Sequence, residues 1–214
     1  YWVAERYVDR GNALWRPVIQ EVYDIGNTWN TITQTVTRYD SDGRVTYASY
    51  PQRNANPAVY NTWGDPAQIP NALGTWTTYD ALGRPTQVQQ NSELGLLTTT
   101  YQYLPGFLTL STNPRNQQTL TVYQAFDQPD TSLPVGINRP EGVYDEIYRN
   151  IFGKPTALRR RNADASISLY RSYVYDGYQR LCKTIEPESG ATVLDYDAAN
   201  NVSYSAAGLS LPSP

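Results

Sequence analysis

Histidine and methionine are both absent from these 214 residues, and Cys182 is the single cysteine. Without an imidazole the chain lacks the commonest general base and the commonest metal ligand. One thiol cannot form an intrachain disulfide or a thiolate cluster, and with no imidazole beside it Cys182 reads as a small strand or core residue rather than a nucleophile. Charge is scarce as well: 17% of residues are charged, against roughly 25% in an average soluble domain. The formal net charge of −3 offers a phosphate backbone no attraction, which argues against nucleic acid as a partner. No apolar run approaches the length of about 18 residues that a membrane span requires. The opening YWVAERY has neither the basic nor the apolar region of a signal peptide, and a chain without methionine reads as a piece of a longer protein.

What is abundant is Tyr, at 19 residues, with five Trp, among many Thr, Asn, Gln and Ser. Aromatic and β-branched side chains suit a pleated, half-exposed face, so the composition predicts an all-β protein. Internal repetition sharpens the expectation. TRYDSDGRVTY begins at Thr37 and TTYDALGRPTQ at Thr77, and tyrosines at 7, 23, 39, 60, 79, 101, 123, 148, 175 and 196 recur about every 21 residues. Four residues after several of them stands Gly or Asn, as at Gly43, Gly64 and Gly83, the residue types that tolerate positive φ. Gly106 and Gly153 come five residues after Tyr101 and Tyr148, as a one-residue insertion in the turn would require. The copy at Tyr175 has Gly177 only two residues on.

In YDSDGR, Asp40 occupies the first position of a type I turn and Gly43 the fourth, where an αL conformation closes a hairpin. Asp80 and Gly83 repeat the arrangement, and Asp176 and Asp197 stand in the same place after Tyr175 and Tyr196. The flanks alternate with period two: in TITQTVTRY, Ile32 and Val36 share one face and the threonines the other. Similar runs lie at 118–123, 167–175 and 191–196. The arginine that ends the motif (Arg44, Arg84, Arg180) can lie against a tyrosine ring or reach the turn aspartate, though an exposed strand residue balancing Asp is the plainer reading. Arg159, Arg160 and Arg161 read as a solvated strand end. The prolines mark connectors and edges, the widest being Pro129–Gly142 and Arg161–Ser168, where excursions from the sheet are expected. These readings divide the chain into degenerate repeats at 1–30, a repeat sheet at 31–205 and a tail at 206–214.

RYDSDGRVT, TYDALGRPTQV, VYNTWGDPAQI (with Tyr60 and Gly64) and YVYDGYQRLCKTIEPESGATVLDYDAANNVSYS resemble the YD repeats of RHS-repeat proteins, the group that includes Tc toxin C-subunits, polymorphic toxins and teneurins. The resemblance implies an array of antiparallel β-hairpins in a curved or spiral sheet, part of a shell. It implies a bacterial secreted or cell-surface toxin whose shell encloses or displays another polypeptide, with the remainder of the shell or a toxin cargo as partner. Family shells are several times longer than this chain. The Asp-Pro-x-Gly self-cleavage motif of the family's C-terminal core does not follow Asp195 or Asp197, so no catalytic residue is carried over.

Three functions are weighed on the residues. A non-catalytic wall segment comes first. A carbohydrate or cell-surface binding module is the alternative, with Trp29, Trp63 and Trp76 as glycan-stacking candidates against a reading as cross-strand packing partners. An enzyme comes last. The paired carboxylates Asp40/Asp42, Glu186/Glu188 and Asp195/Asp197 fall in or beside turns, and no phosphate-binding glycine loop or nucleophile elbow is present. No catalytic, metal or cofactor residue is expected.

Overall fold

The computed structural model describes residues 2–8, 16–23, 32–53, 73–126 and 128–210. Every paired strand among them is antiparallel, and the one helical element is a 3-10 turn at Pro140–Gly142, so the all-β expectation holds. By contact the chain divides into two compact units, 1–101 and 102–214.

In the first unit, β1 (Trp2–Val8), β2 (Arg16–Tyr23) and β3 (Ile32–Tyr39) pair in chain order. β3 then meets β4 (Val45–Ser49) and, past Pro51, the two-residue β5 (Gln52–Arg53). Proline cannot donate to the ladder, and at this break the Ser49 hydroxyl accepts the Val36 amide at 2.8 Å. β6 (Gly74–Tyr79) pairs with β4, and β7 (Pro85–Ser92) and β8 (Gly95–Leu104), whose last three residues belong to the second unit, follow as hairpins. A buried glycine makes the β4–β6 contact close: a Cβ at Gly74 would lie 2.3 Å from the Ala48 carbonyl oxygen and 2.9 Å from the Tyr47 ring. Tyr47 is itself buried, with the Trp76 ring 5.1 Å away.

The second unit is a meander: β9 (Leu108–Thr112), β10 (Gln118–Phe126), β11 (Gln128–Arg139), β12 (Val143–Arg149), β13 (Pro155–Arg161), β14 (Ser168–Tyr175), β15 (Leu181–Glu186), β16 (Gly190–Tyr196) and β17 (Val202–Leu209), each paired with the next. Among the described residues, the fully buried apolar ones are Val36, Tyr47, Ala157 and Ala191. Most side chains are half-exposed, so ladders and cross-strand pairs carry much of the stability here.

Two expectations are corrected. Pro129–Arg139, read as an excursion, is most of strand β11; Pro134 is accommodated because it faces Tyr123 where the register shifts, the kind of irregularity that tolerates a missing amide. The segment from Ala206 to Leu209, read as part of a tail, lies in β17.

Candidate functional site

The repeated chemistry converges on the hairpin turns. The Asp40 amide donates to the Arg44 carbonyl at 3.0 Å and the Gly43 amide to the Asp40 carbonyl at 3.0 Å. One carboxylate oxygen of Asp40 then accepts the amides of Asp42 and Arg44 at 3.0 and 2.9 Å. The side chain thereby satisfies two backbone donors that the turn would leave to water. The same four bonds recur at Asp80, Asn113, Asn150, Asp176 and Asp197. The fourth residue of each takes positive φ: Gly43 (+80°), Gly83 (+78°), Asn116 (+59°), Gly153 (+75°), Gln179 (+63°) and Asn200 (+66°).

The repeat is therefore set by the Asx residue and not by tyrosine. Tyr101 and Tyr123 lie within β8 and β10 rather than before turns. The insertion inferred after Tyr148 does not exist, because the turn begins at Asn150 with Arg149 in the tyrosine slot. The copy at Tyr175 is regular: Gln179, not Gly177, takes the left-handed position. The turns at Asn113 and Asn150 were missed. Their signal is an Asx residue with Asn or Gly three further on, as in NPRNQ and NIFGK. Tyr7 is the penultimate residue of β1 and Tyr23 the last of β2; the residues that follow these two strands, with Tyr60, Gly64, Trp29 and Trp63, lie outside the described residues.

Tyrosine and the terminal cation have a different task. Arg44 donates to its own Asp40 at 2.7 Å, yet its guanidinium also lies 5.2 Å from the ring of Tyr79, which precedes the next turn, and donates to the Asp80 carbonyl at 3.3 Å. The Tyr79 hydroxyl returns a hydrogen bond to the Val45 carbonyl at 2.8 Å. The second unit holds the same interlock twice. Lys154 lies 5.4 Å from the Tyr175 ring and donates to the Gln179 carbonyl, while the Tyr175 hydroxyl donates to the Pro155 carbonyl at 2.9 Å. Arg180 stands 4.7 Å from the Tyr196 ring, whose hydroxyl donates to the Leu181 carbonyl at 2.8 Å. Cation–π attraction and a hydroxyl bond thus tie the Asp40 turn to the Asp80 turn, the Asn150 turn to the Asp176 turn, and the Asp176 turn to the Asp197 turn. Arg84 keeps its Asp80 partner at 2.8 Å.

Each interlocked turn also carries a register shift beside it, and the residue passed over is small and hydrogen-bonding. Thr86, Thr156 and Cys182 donate back across the bulge to the carbonyls of Thr78, Tyr148 and Val174 at 3.2, 3.3 and 3.4 Å. Cys182 occupies a threonine slot.

Electrostatics follow the same geometry. Hydrogen bonds from the Arg84, Arg180 and Asn201 amides hold Asp80, Asp176 and Asp197 below the ordinary carboxylate value. At Asp40 burial pulls upward, and bonds from the Arg44 amide and guanidinium outweigh it. Away from the turns, Arg159–Arg161 form ion pairs. Asp145, 3% exposed, takes Arg160 at 2.6 Å and Arg139 at 2.8 Å. Glu146 takes Arg161 at 2.8 Å and Arg159 at 3.6 Å. Of the paired carboxylates, Asp42 bonds Arg44 at 2.7 Å and Glu186 and Glu188 approach Arg171. Among the described residues no cluster of three metal-ligating side chains occurs and no helix is long and apolar enough to cross a membrane.

No family model and no curated protein matches the chain. Solved structures do. The crystal structure of TcdB2-TccC3-Cdc42 is similar over 90% of this chain at 13% identity and a TM-score of 0.55, and that of TcdB2-TccC3-TEV over 89% at 14% identity and 0.51. A Photorhabdus luminescens Tc holotoxin pore matches over 89% at 14% identity and 0.48.

The fold resembles that of TcdB2-TccC3. At these identities the likeness is one of fold, and this chain spans 10% and 11% of the length of the two TcdB2-TccC3 chains. Trp76, one of the glycan-stacking candidates, is half-buried, with its ring beside that of Tyr47.

Proposed function

We propose that the chain is a segment of YD/RHS-type repeat wall, non-catalytic, that belongs to a larger bacterial toxin shell and encloses or displays another polypeptide. The observation that carries this reading is the turn interlock within a fold similar to about a tenth of TcdB2-TccC3. A unit that ties each hairpin to the next by side chains of fixed spacing is suited to indefinite repetition, as in other quasi-one-dimensional arrays. The side chains in the interlock hold backbone carbonyls and turn carboxylates, which leaves them to structural work. The partners on this reading are the rest of the shell and a cargo polypeptide, outside the cell or at its surface.

Immunoblotting of untreated source cells with an antibody to this segment tests the reading. A band several times larger than the 24.1 kDa of these residues, carrying a further stretch that resists protease until the wall is opened, is expected. A free polypeptide of 24.1 kDa would overturn it.

A further inference from the structure

The face of the second unit formed by β12, β13 and β14 carries an open trough of about 590 Å3. Register explains it. Tyr148, Ala157 and Ser172 lie opposite one another across the three strands, and Tyr170 stands in the next row, opposite Arg159. Cross-strand partners share a face, so two small residues form a floor between two large rings. Ala157 and Ser172 are 4% and 6% exposed, whereas Tyr148 and Tyr170 are 50% and 51% exposed. The side-chain amides of Asn150 and Gln179, 3.2 Å apart, close the end nearest the turns.

We infer that this trough binds a neutral saccharide, the tyrosine rings stacking on pyranose faces while amides and hydroxyls meet the sugar hydroxyls. Aromatic surface beside a few convergent polar groups is what a small-ligand site presents, and the volume falls in the usual range of roughly 300–1,000 Å3. A charged ligand fits less well: Glu146 is held by Arg161 and Arg159 and accepts the Tyr148 hydroxyl at 3.3 Å. An added polypeptide strand fits less well too, because strand addition needs an open sheet edge, and β12, β13 and β14 are each paired on both sides. None of the tryptophans named as glycan candidates is among the residues that line the trough. It does not depend on the wall reading.

Saturation-transfer NMR on the full chain, with cellotriose, chitotriose and an unfolded peptide as probes, tests the inference. Transfer to at least one trisaccharide is expected. Tyr170→Leu, which keeps apolar bulk, weakens it about tenfold, and Tyr170→Phe, which keeps the ring, leaves it within about threefold. Far-UV circular dichroism establishes that both variants are folded; if Tyr170→Leu is not, Tyr148→Leu takes its place with the same expectation. No saccharide transfer, equal transfer in the leucine variant, or stronger transfer to the peptide than to either sugar overturns the inference.

Discussion

The two edges of the second unit use one turn chemistry to different ends. On one edge stand the turns at Asn150, Asp176 and Asp197; on the other stand Asn113 and Asn162. Asn113 closes its turn with the same four backbone-linked bonds as Asp176, and Asn162 closes a longer one, its amide donating to the Ile167 carbonyl at 3.2 Å. The hydrogen bonds of both side chains stay within their own turns, and neither turn has a bulge beside it. On the interlocked edge the Asn150 turn reaches the Asp176 turn, and the Asp176 turn the Asp197 turn, through a cation, a tyrosine ring and a hydroxyl, and each of the three carries a bulge, which adds local right-handed twist. The motif Tyr-Asp-x-x-Gly-Arg is thus two devices in one string. Asp and the positive-φ residue make the turn. Tyr and Arg join turns together.

Removing a joining residue is expected to have the largest effect. Tyr175→Ala deletes a half-buried ring, its bond to Pro155 and the cation contact with Lys154, at a cost of about 3 kcal/mol in denaturant unfolding. Asn113→Ala removes only a local closure and costs about 1 kcal/mol. Equal losses would erase the distinction between the edges.

Acid separates the turns next. Asp80, Asp176 and Asp197 have lowered folded values, so their contribution is fully present above the unfolded value of about 4 and is lost as pH falls through the lowered ones. Asn113, Asn150 and Asn162 do not titrate. Hydrogen exchange between pH 5 and pH 2 is expected to show the Asp176 and Asp197 turns losing protection before the Asn113 turn. In Asp176→Asn that pH dependence is reduced. A uniform loss across both edges would contradict the assignment.

These contrasts also show what the sequence can and cannot reveal. Alternation in TITQTVTRY announces a strand, because Ile32 and Val36 share one face and the threonines the other, and the β-branched and aromatic run ISLYRSYVY announces another. Asp40 and Asp80 are legible because Gly43 and Gly83 announce positive φ, whereas Gln179 carries no such signal: a bulky side chain there is held by its surroundings. Anchoring on tyrosine concealed Asn113 and Asn150, since Thr112 and Arg149 precede them, and a proline-rich composition concealed β11. The interlock joins residues 15 to 36 positions apart, a separation that depends on hairpin length and not on local pattern. The trough depends on two small residues meeting across strands, a matter of register alone.

Smaller effects refine the comparison. Cys182→Thr restores the residue type of the corresponding bulges at Thr86 and Thr156 and is expected to change stability by less than about 0.5 kcal/mol, while Cys182→Val, which cannot donate to the Val174 carbonyl, costs about 1 kcal/mol. Lys154→Arg, which puts the commoner cation in its slot, falls within about 0.5 kcal/mol of the parent. A large loss in either conservative variant would mean that these slots are not equivalent.

The most direct test of the joining role is a double-mutant cycle on Arg180 and Tyr196, the pair separated by 4.7 Å from guanidinium to ring, with Arg180→Gln, Tyr196→Leu and both together measured by urea unfolding. A coupling of about 1 kcal/mol between the two sites is expected. Additivity within about 0.3 kcal/mol would mean that the turns stand side by side without being tied.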